Sequence, residues 1–162
     1  MDFHSAFSAL SIIPTDWIII ACAFILIAAD ALRGGSMRAA SIALALPIAL
    51  YLFSSIPQTF FLGNFAKQLS NPYAQAGMFA FLAAIIFICI HQMILTFDIS
   101  SSFTSSAISA LAAVILILVV WVQLPALGQI WHFGPLIQSI FGEQYRAFWI
   151  VGSYLALAFV GS

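Results

Sequence analysis

The chain has 162 residues, of which 64% are hydrophobic and only 6% charged, and its mean hydropathy is +1.16. A soluble domain carries roughly 25% charged residues, so four Lys or Arg and five Asp or Glu cannot cover a water-facing surface, and a lipid bilayer is the natural solvent of this chain. A net charge of −1 excludes a basic footprint for nucleic acid, and no cluster of four or more Lys or Arg marks an anionic-lipid patch.

The N-terminus opens on acidic Asp2 and lacks the basic region of a cleavable signal peptide. Residues 2–13 place Phe3, Phe7 and Leu10 on one helical face, away from Ser5, Ser8 and Ser11. This pattern predicts a short amphipathic helix in the interface. Pro14 ends it, and Thr15 or Asp16 is positioned to cap the first membrane span. Span one is predicted over residues 16–32, with Trp17 at headgroup level. Arg33-Gly34-Gly35-Ser36-Met37-Arg38 forms a tight polar hairpin in which the glycines supply backbone freedom. Span two covers 39–55, with Pro47 removing one helical donor near its centre.

Residues 56–75 are too polar to span. Phe61, Phe65 and Leu69 face away from Asn64, Lys67 and Gln68, which predicts a second interfacial helix. Span three covers 77–97. A Ser- and Thr-rich stretch leads into span four, 105–123. Pro125, Gly128, Gly134, Pro135 and Gly142 break residues 124–143, yet the segment stays apolar. It is expected to lie in the interface or to dip in as a re-entrant segment, and a sixth crossing would reverse the C-terminus. Span five covers 145–161. The fold class is therefore all-α: one integral membrane domain, a polytopic bundle of about five transmembrane helices with interfacial amphipathic segments. Arg33 and Arg38 place the first hairpin in the cytoplasm by the positive-inside rule, with the N-terminus outside and the C-terminus inside.

Few residues carry chemistry. Asp30 and Arg33 are three apart and can pair on one helix face; they read either as an ion gate or as a charge pair at the membrane edge. His91 lies inside span three, followed by Gln92. It reads as a proton relay, as a metal ligand, or as a side chain hydrogen-bonded to a Ser, Thr or Gln of a neighbouring span. Metal binding lacks companions at ligand spacing: Cys89 points to another face, and His4 and His132 fall outside the spans. Gln123 closes span four as a further polar candidate. Cys22 and Cys89 read as buried free thiols. Ser102, Ser106 and Ala110 form a small-residue face on span four, paralleled by Ser105, Ser109 and Ala113. Gly152 and Ala156 do the same on span five. Small residues four apart let helices approach closely, within the chain or with another copy or another protein. No nucleophile-and-base set, phosphate loop or haem motif appears, so no cofactor and no enzymatic activity are expected.

Asp16-Trp17-Ile18-Ile19 opens span one, Arg33-Gly34 closes it, Arg38 comes next, and Ser41 begins span two. This start resembles the colicin V production protein family of small bacterial inner-membrane proteins, over about 60 residues closely and about 120 loosely. The chain departs from that pattern at 100–113, which has neither Gly nor charge, and by ending in a further span. The resemblance implies a bacterial inner-membrane protein engaged in scaffolding, export or envelope maintenance. The first functional reading is thus a non-catalytic scaffold or accessory subunit, whose partners are the bilayer and either copies of itself or other membrane subunits. The second is an oligomeric channel, holin-like pore or proton-coupled transporter using Asp30, Arg33, His91 and Gln123.

Overall fold

A computed structural model describes residues 14–56, 71–94 and 103–160. The expected helix at 2–13, most of the polar segment after span two, and Ser102 lie outside the described residues. Within them every regular element is helical.

Four helices are long and apolar enough to cross a bilayer: α1 (Thr15–Gly34), α2 (Ser36–Ser55), α3 (Pro72–Ile94) and α4 (Phe103–Gln123). Each has at least 20 residues and so extends about 30 Å at 1.5 Å per residue, the thickness of the hydrocarbon core. Two short helices come next, α5 (Pro125–Ile130) and α6 (Pro135–Phe141), each with proline in its first turn. Proline there forfeits only a donor that has no helical partner anyway. The chain then enters α7 (Arg146–Val160), which has 15 residues. It begins one residue later than the span expected at 145–161 and runs to the last described residue. The polar groups Glu143 and Arg146 and the Gly142 break hold its start back.

A single residue, Gly35, joins α1 to α2. Its φ of 85° and ψ of 155° are open to glycine and strained for any residue with a Cβ. The helices therefore reverse direction with no loop between them. Thr15 and Asp16 do not cap α1: Pro14 holds the cap position and no side-chain cap bond forms.

The bundle is organised around α4, which packs against α1, α2 and α7, while α3 lies on the far side of α2 and touches α5. Phe53 of α2 meets Phe79 of α3, and Ser41 of α2 meets His91 of α3, so these two helices run antiparallel. Small residues make the central seam: Ala31, Ala39, Ala43, Ala113 and Leu116 form one buried cluster. Ser105, Ser106, Ser109 and Ala110 are buried as well, so the small face of α4 is satisfied within the chain.

The two ends of the bundle differ in composition. One gathers all four tryptophans, Trp17, Trp121, Trp131 and Trp149, close to helix ends and to α6. The other holds the α1–α2 hairpin with Arg33 and Arg38. We refer to them as the aromatic end and the arginine end.

Residues 124–143 begin and finish at the aromatic end. Arg146, which opens α7, donates from Nη1 to Gln123 Oε1, the last residue of α4, at 3.2 Å. The segment is therefore no sixth crossing. Nor does it lie flat: Ile137 and Phe141 of α6 join Val114 and Leu118 of α4, with Ile20 and Phe24 of α1 packed alongside. Val114 stands nine residues before Gln123, about 13 Å along the helix. The chain dips into the bundle and returns on the same side.

Candidate functional site

Most polar side chains of the described residues collect at the two ends, and Ser153 and Tyr154 of α7 are the exceptions at mid-depth. At the arginine end the Asp30 carboxylate meets Arg38, Nη1 to Oδ1 at 3.3 Å, and not Arg33 as the i, i+3 spacing predicts. The one-residue turn explains the exchange. It folds the first turn of α2 back over the last turn of α1, and the Arg38 stem lies over Gly34, where an added Cβ would come within 2.7 Å of it. Both partners are about half exposed, so the pair contributes about 0–1 kcal/mol. Arg33 stands exposed in the last turn of α1, where a cation complements the helix dipole.

His91 lies one helix away from this hairpin. Its Nδ1 is 3.5 Å from Ser41 Oγ. The Ser41 hydroxyl donates to the Met37 carbonyl at 2.8 Å, and a hydroxyl has one proton to give. In that arrangement His91 carries its proton on Nδ1 and donates to Ser41. The ring stacks on Phe87 one turn earlier, with centroids 5.5 Å apart and planes 8° from parallel. Gln92 is exposed and points elsewhere. Cys22 and Cys89 are both free and both exposed, a correction to the expectation of buried thiols. Their helices leave these positions on the lipid-facing side. Among the described residues no three His, Cys, Asp or Glu side chains gather where a metal ion would need them.

At the aromatic end the hydrogen bonds hold backbone together. Asp16 Oδ2 accepts from the Gly134 N–H at 2.6 Å. The contact ties the first turn of α1 to the residue that precedes α6, across 118 positions of sequence. An added Cβ at Gly134 would meet that carboxylate oxygen at 3.0 Å. Gln138 Nε2 donates to the Phe133 carbonyl at 2.7 Å, and Trp149 Nε1 to the Ile140 carbonyl at 2.8 Å. These bonds satisfy backbone groups that the breaks around α6 would otherwise leave unpaired in an apolar surrounding, where nothing else supplies partners.

Gln123 is placed differently. Its Oε1 accepts from Arg146, while its Nε2 is buried without a partner. An unmade buried hydrogen bond costs about 1–3 kcal/mol. Gln123 and Arg146, with Glu143, line a cavity of about 560 Å³ between α2, α4 and α7. A larger groove of about 930 Å³ runs between α4 and α7, and Gly152, Ser153 and Ala156 line it. Gly152 is exposed and an added Cβ there meets nothing within 4 Å. Gly152 of α7 thus faces open space, while Ser153 beside it is buried, and the small residues of α4 are buried inside the chain.

Sequence reasoning brought Gln123, His91, Asp30 and Arg33 forward one by one. It missed the partners: Ser41 for His91, Arg38 for Asp30, Arg146 for Gln123, and the tie of Asp16 to α6. Only the Arg38 pairing had a local signal, the Gly34-Gly35 turn. The others join residues 23 to 118 positions apart.

These features define a class: an integral membrane bundle of apolar helices with most of its described polar side chains at its two ends. No protein-family model, curated protein or solved structure matches the chain.

Proposed function

We propose that this protein is a non-catalytic membrane scaffold or accessory subunit, held in the bilayer by its bundle and engaging other membrane subunits or further copies of itself. The observation that carries this reading is the packed middle of the bundle. Ala43, Ala110, Ala113, Leu116 and Val119 are all fully buried, and they separate the Asp30, Arg38 and His91 end from the Gln123 and Arg146 end. Ser41 and Ser54 bracket this stretch on α2 and are thirteen residues apart, about 20 Å by helical rise. A water or ion path requires polar groups along such a length, and among the described residues this depth offers Ser153 and Tyr154 of α7 beside a seam of apolar side chains. The likeness of the first 60 residues to the colicin V production protein family supports a bacterial inner-membrane setting and a role in export or envelope maintenance. Arg33 and Arg38 favour a cytoplasmic arginine end.

Proteoliposomes loaded with a pH-sensitive dye test the reading. Vesicles carrying the full chain are expected to leak protons no faster than empty ones, with His91→Leu unchanged. A proton flux that His91→Leu abolishes at normal incorporation would replace the scaffold with a proton-coupled carrier.

A further inference from the structure

The cavity between α2, α4 and α7 has the polarity profile of a lipid molecule. Its mouth, at the aromatic end, carries Gln123, Glu143 and Arg146; its deeper wall carries Pro47, Val119 and Ile150. Pro47 stands eight residues before the end of α2, so the cavity reaches about 12 Å from headgroup level toward the hydrocarbon. The donors open to the mouth belong to Arg146, which Gln123 holds in place through its Oε1. Gln123 Nε2 is buried and unpartnered. The Arg146 guanidinium has five N–H donors, and its described bond is the single one to Gln123 Oε1. Three residues earlier stands the exposed carboxylate of Glu143, which forms no ion pair with Arg146: the ion pair among the described residues is Arg38 with Asp30.

We propose that this cavity binds one phospholipid with a zwitterionic, amine-bearing headgroup. The phosphate takes the remaining N–H donors of Arg146, an arrangement in which guanidinium forks match phosphate oxygens. The ammonium takes Glu143, and an acyl chain lies along Pro47, Val119 and Ile150. Arg146 and Glu143 then each have a partner of the opposite charge, and the apolar depth is filled by a chain that belongs in it. A purely anionic lipid satisfies the donors and sets its charge against Glu143. A soluble phosphate leaves the depth empty. The cavity takes this lipid whether the chain acts as a scaffold or as a carrier.

The test is native mass spectrometry of the full chain in mild detergent, titrated separately with phosphatidylethanolamine, phosphatidylglycerol, glycerophosphoethanolamine and inorganic phosphate. The wild type is expected to retain one phosphatidylethanolamine in preference to phosphatidylglycerol and to bind neither soluble compound. Arg146→Gln is expected to weaken phosphatidylethanolamine retention about tenfold, the equivalent of one charge-assisted hydrogen bond. Glu143→Gln is expected to erase the preference between the two lipids. Glu143 is exposed, so this variant leaves the packing alone and decides the matter even where Arg146→Gln fails to fold. Equal retention of the two lipids by the wild type, a preference that survives Glu143→Gln, or competition by either soluble compound would overturn the proposal.

Discussion

Helix α4 has two faces, and the chain treats them in opposite ways. Toward α2, Ala113 and Leu116 meet Ala39 and Ala43, and the seam closes with these residues fully or almost fully buried. Toward α7, Ile108, Leu111 and Ile115 stand opposite Phe148, Gly152 and Ala156, and a groove of about 930 Å³ remains. Both interfaces contain small residues at helical spacing. The difference is that small residues close a seam when both helices offer them at one depth, which α2 and α4 do. On the other face large side chains form the walls, and α6 is wedged below. Trp149 of α7 rests on α6 through its bond to the Ile140 carbonyl and its ring contact with Phe141 at 5.0 Å. Past that wedge α7 packs on α4, with Ile150, Tyr154 and Leu157 against the Ala113 and Leu116 cluster and Ser153 buried, and the groove opens beside exposed Gly152.

Enlarging a residue in the closed seam is the most damaging way to break this contrast. Ala113 has no exposed surface and lies where α4 meets its neighbours. Ala113→Leu is expected to cost about 1–3 kcal/mol, because neither backbone can move aside without opening the core. The readout is a lower thermal midpoint and a loss of monodispersity in detergent; an unchanged midpoint would mean that the seam is looser than its burial implies.

The tether of the wedge comes next. Asp16→Asn keeps an acceptor facing the Gly134 N–H but removes the charge that strengthens the bond. A loss of about 1 kcal/mol is expected, together with faster amide exchange at Gly134 and through α6. Exchange unchanged at Gly134 would show that apolar packing of Ile137 and Phe141 alone holds the wedge.

Smallest of the three is Gly152→Leu in the open groove. An added Cβ meets nothing within 4 Å, so a change within about 0.5 kcal/mol is expected. The same substitution sharpens the comparison at the level of assembly. If particles purified with wild-type partners or copies lose them on Gly152→Leu, the open face of α7 is where those subunits sit, as the scaffold reading requires of an unpaired small-residue face.

Much of this was legible from the residues alone. Long runs of apolar residues place α1 to α4, because a helix in lipid must satisfy its own backbone and needs about 20 residues to cross. Pro125, Pro135 and Gly142 mark the breaks of residues 124–143, because they lack a donor or favour non-helical backbone. Where that segment goes was not legible. Interfacial and re-entrant segments share one composition, and only the return of Arg146 to Gln123 and the burial of Ile137 and Phe141 in one cluster with Val114 and Leu118 separate them.

Hydropathy, then, determined by itself that the chain is a helical membrane bundle, and spacing determined which faces of α4 and α7 are small. Tertiary structure alone decided that one small face is consumed within the chain and the other is left open. It also decided that Asp30 answers to Arg38, His91 to Ser41, and Gln123 to Arg146. The physical reason is one of range. Transfer of apolar groups out of water acts residue by residue and leaves its mark on the linear sequence. Hydrogen-bond partners and close helix contacts depend on which distant segments the packing brings to the same depth in the membrane.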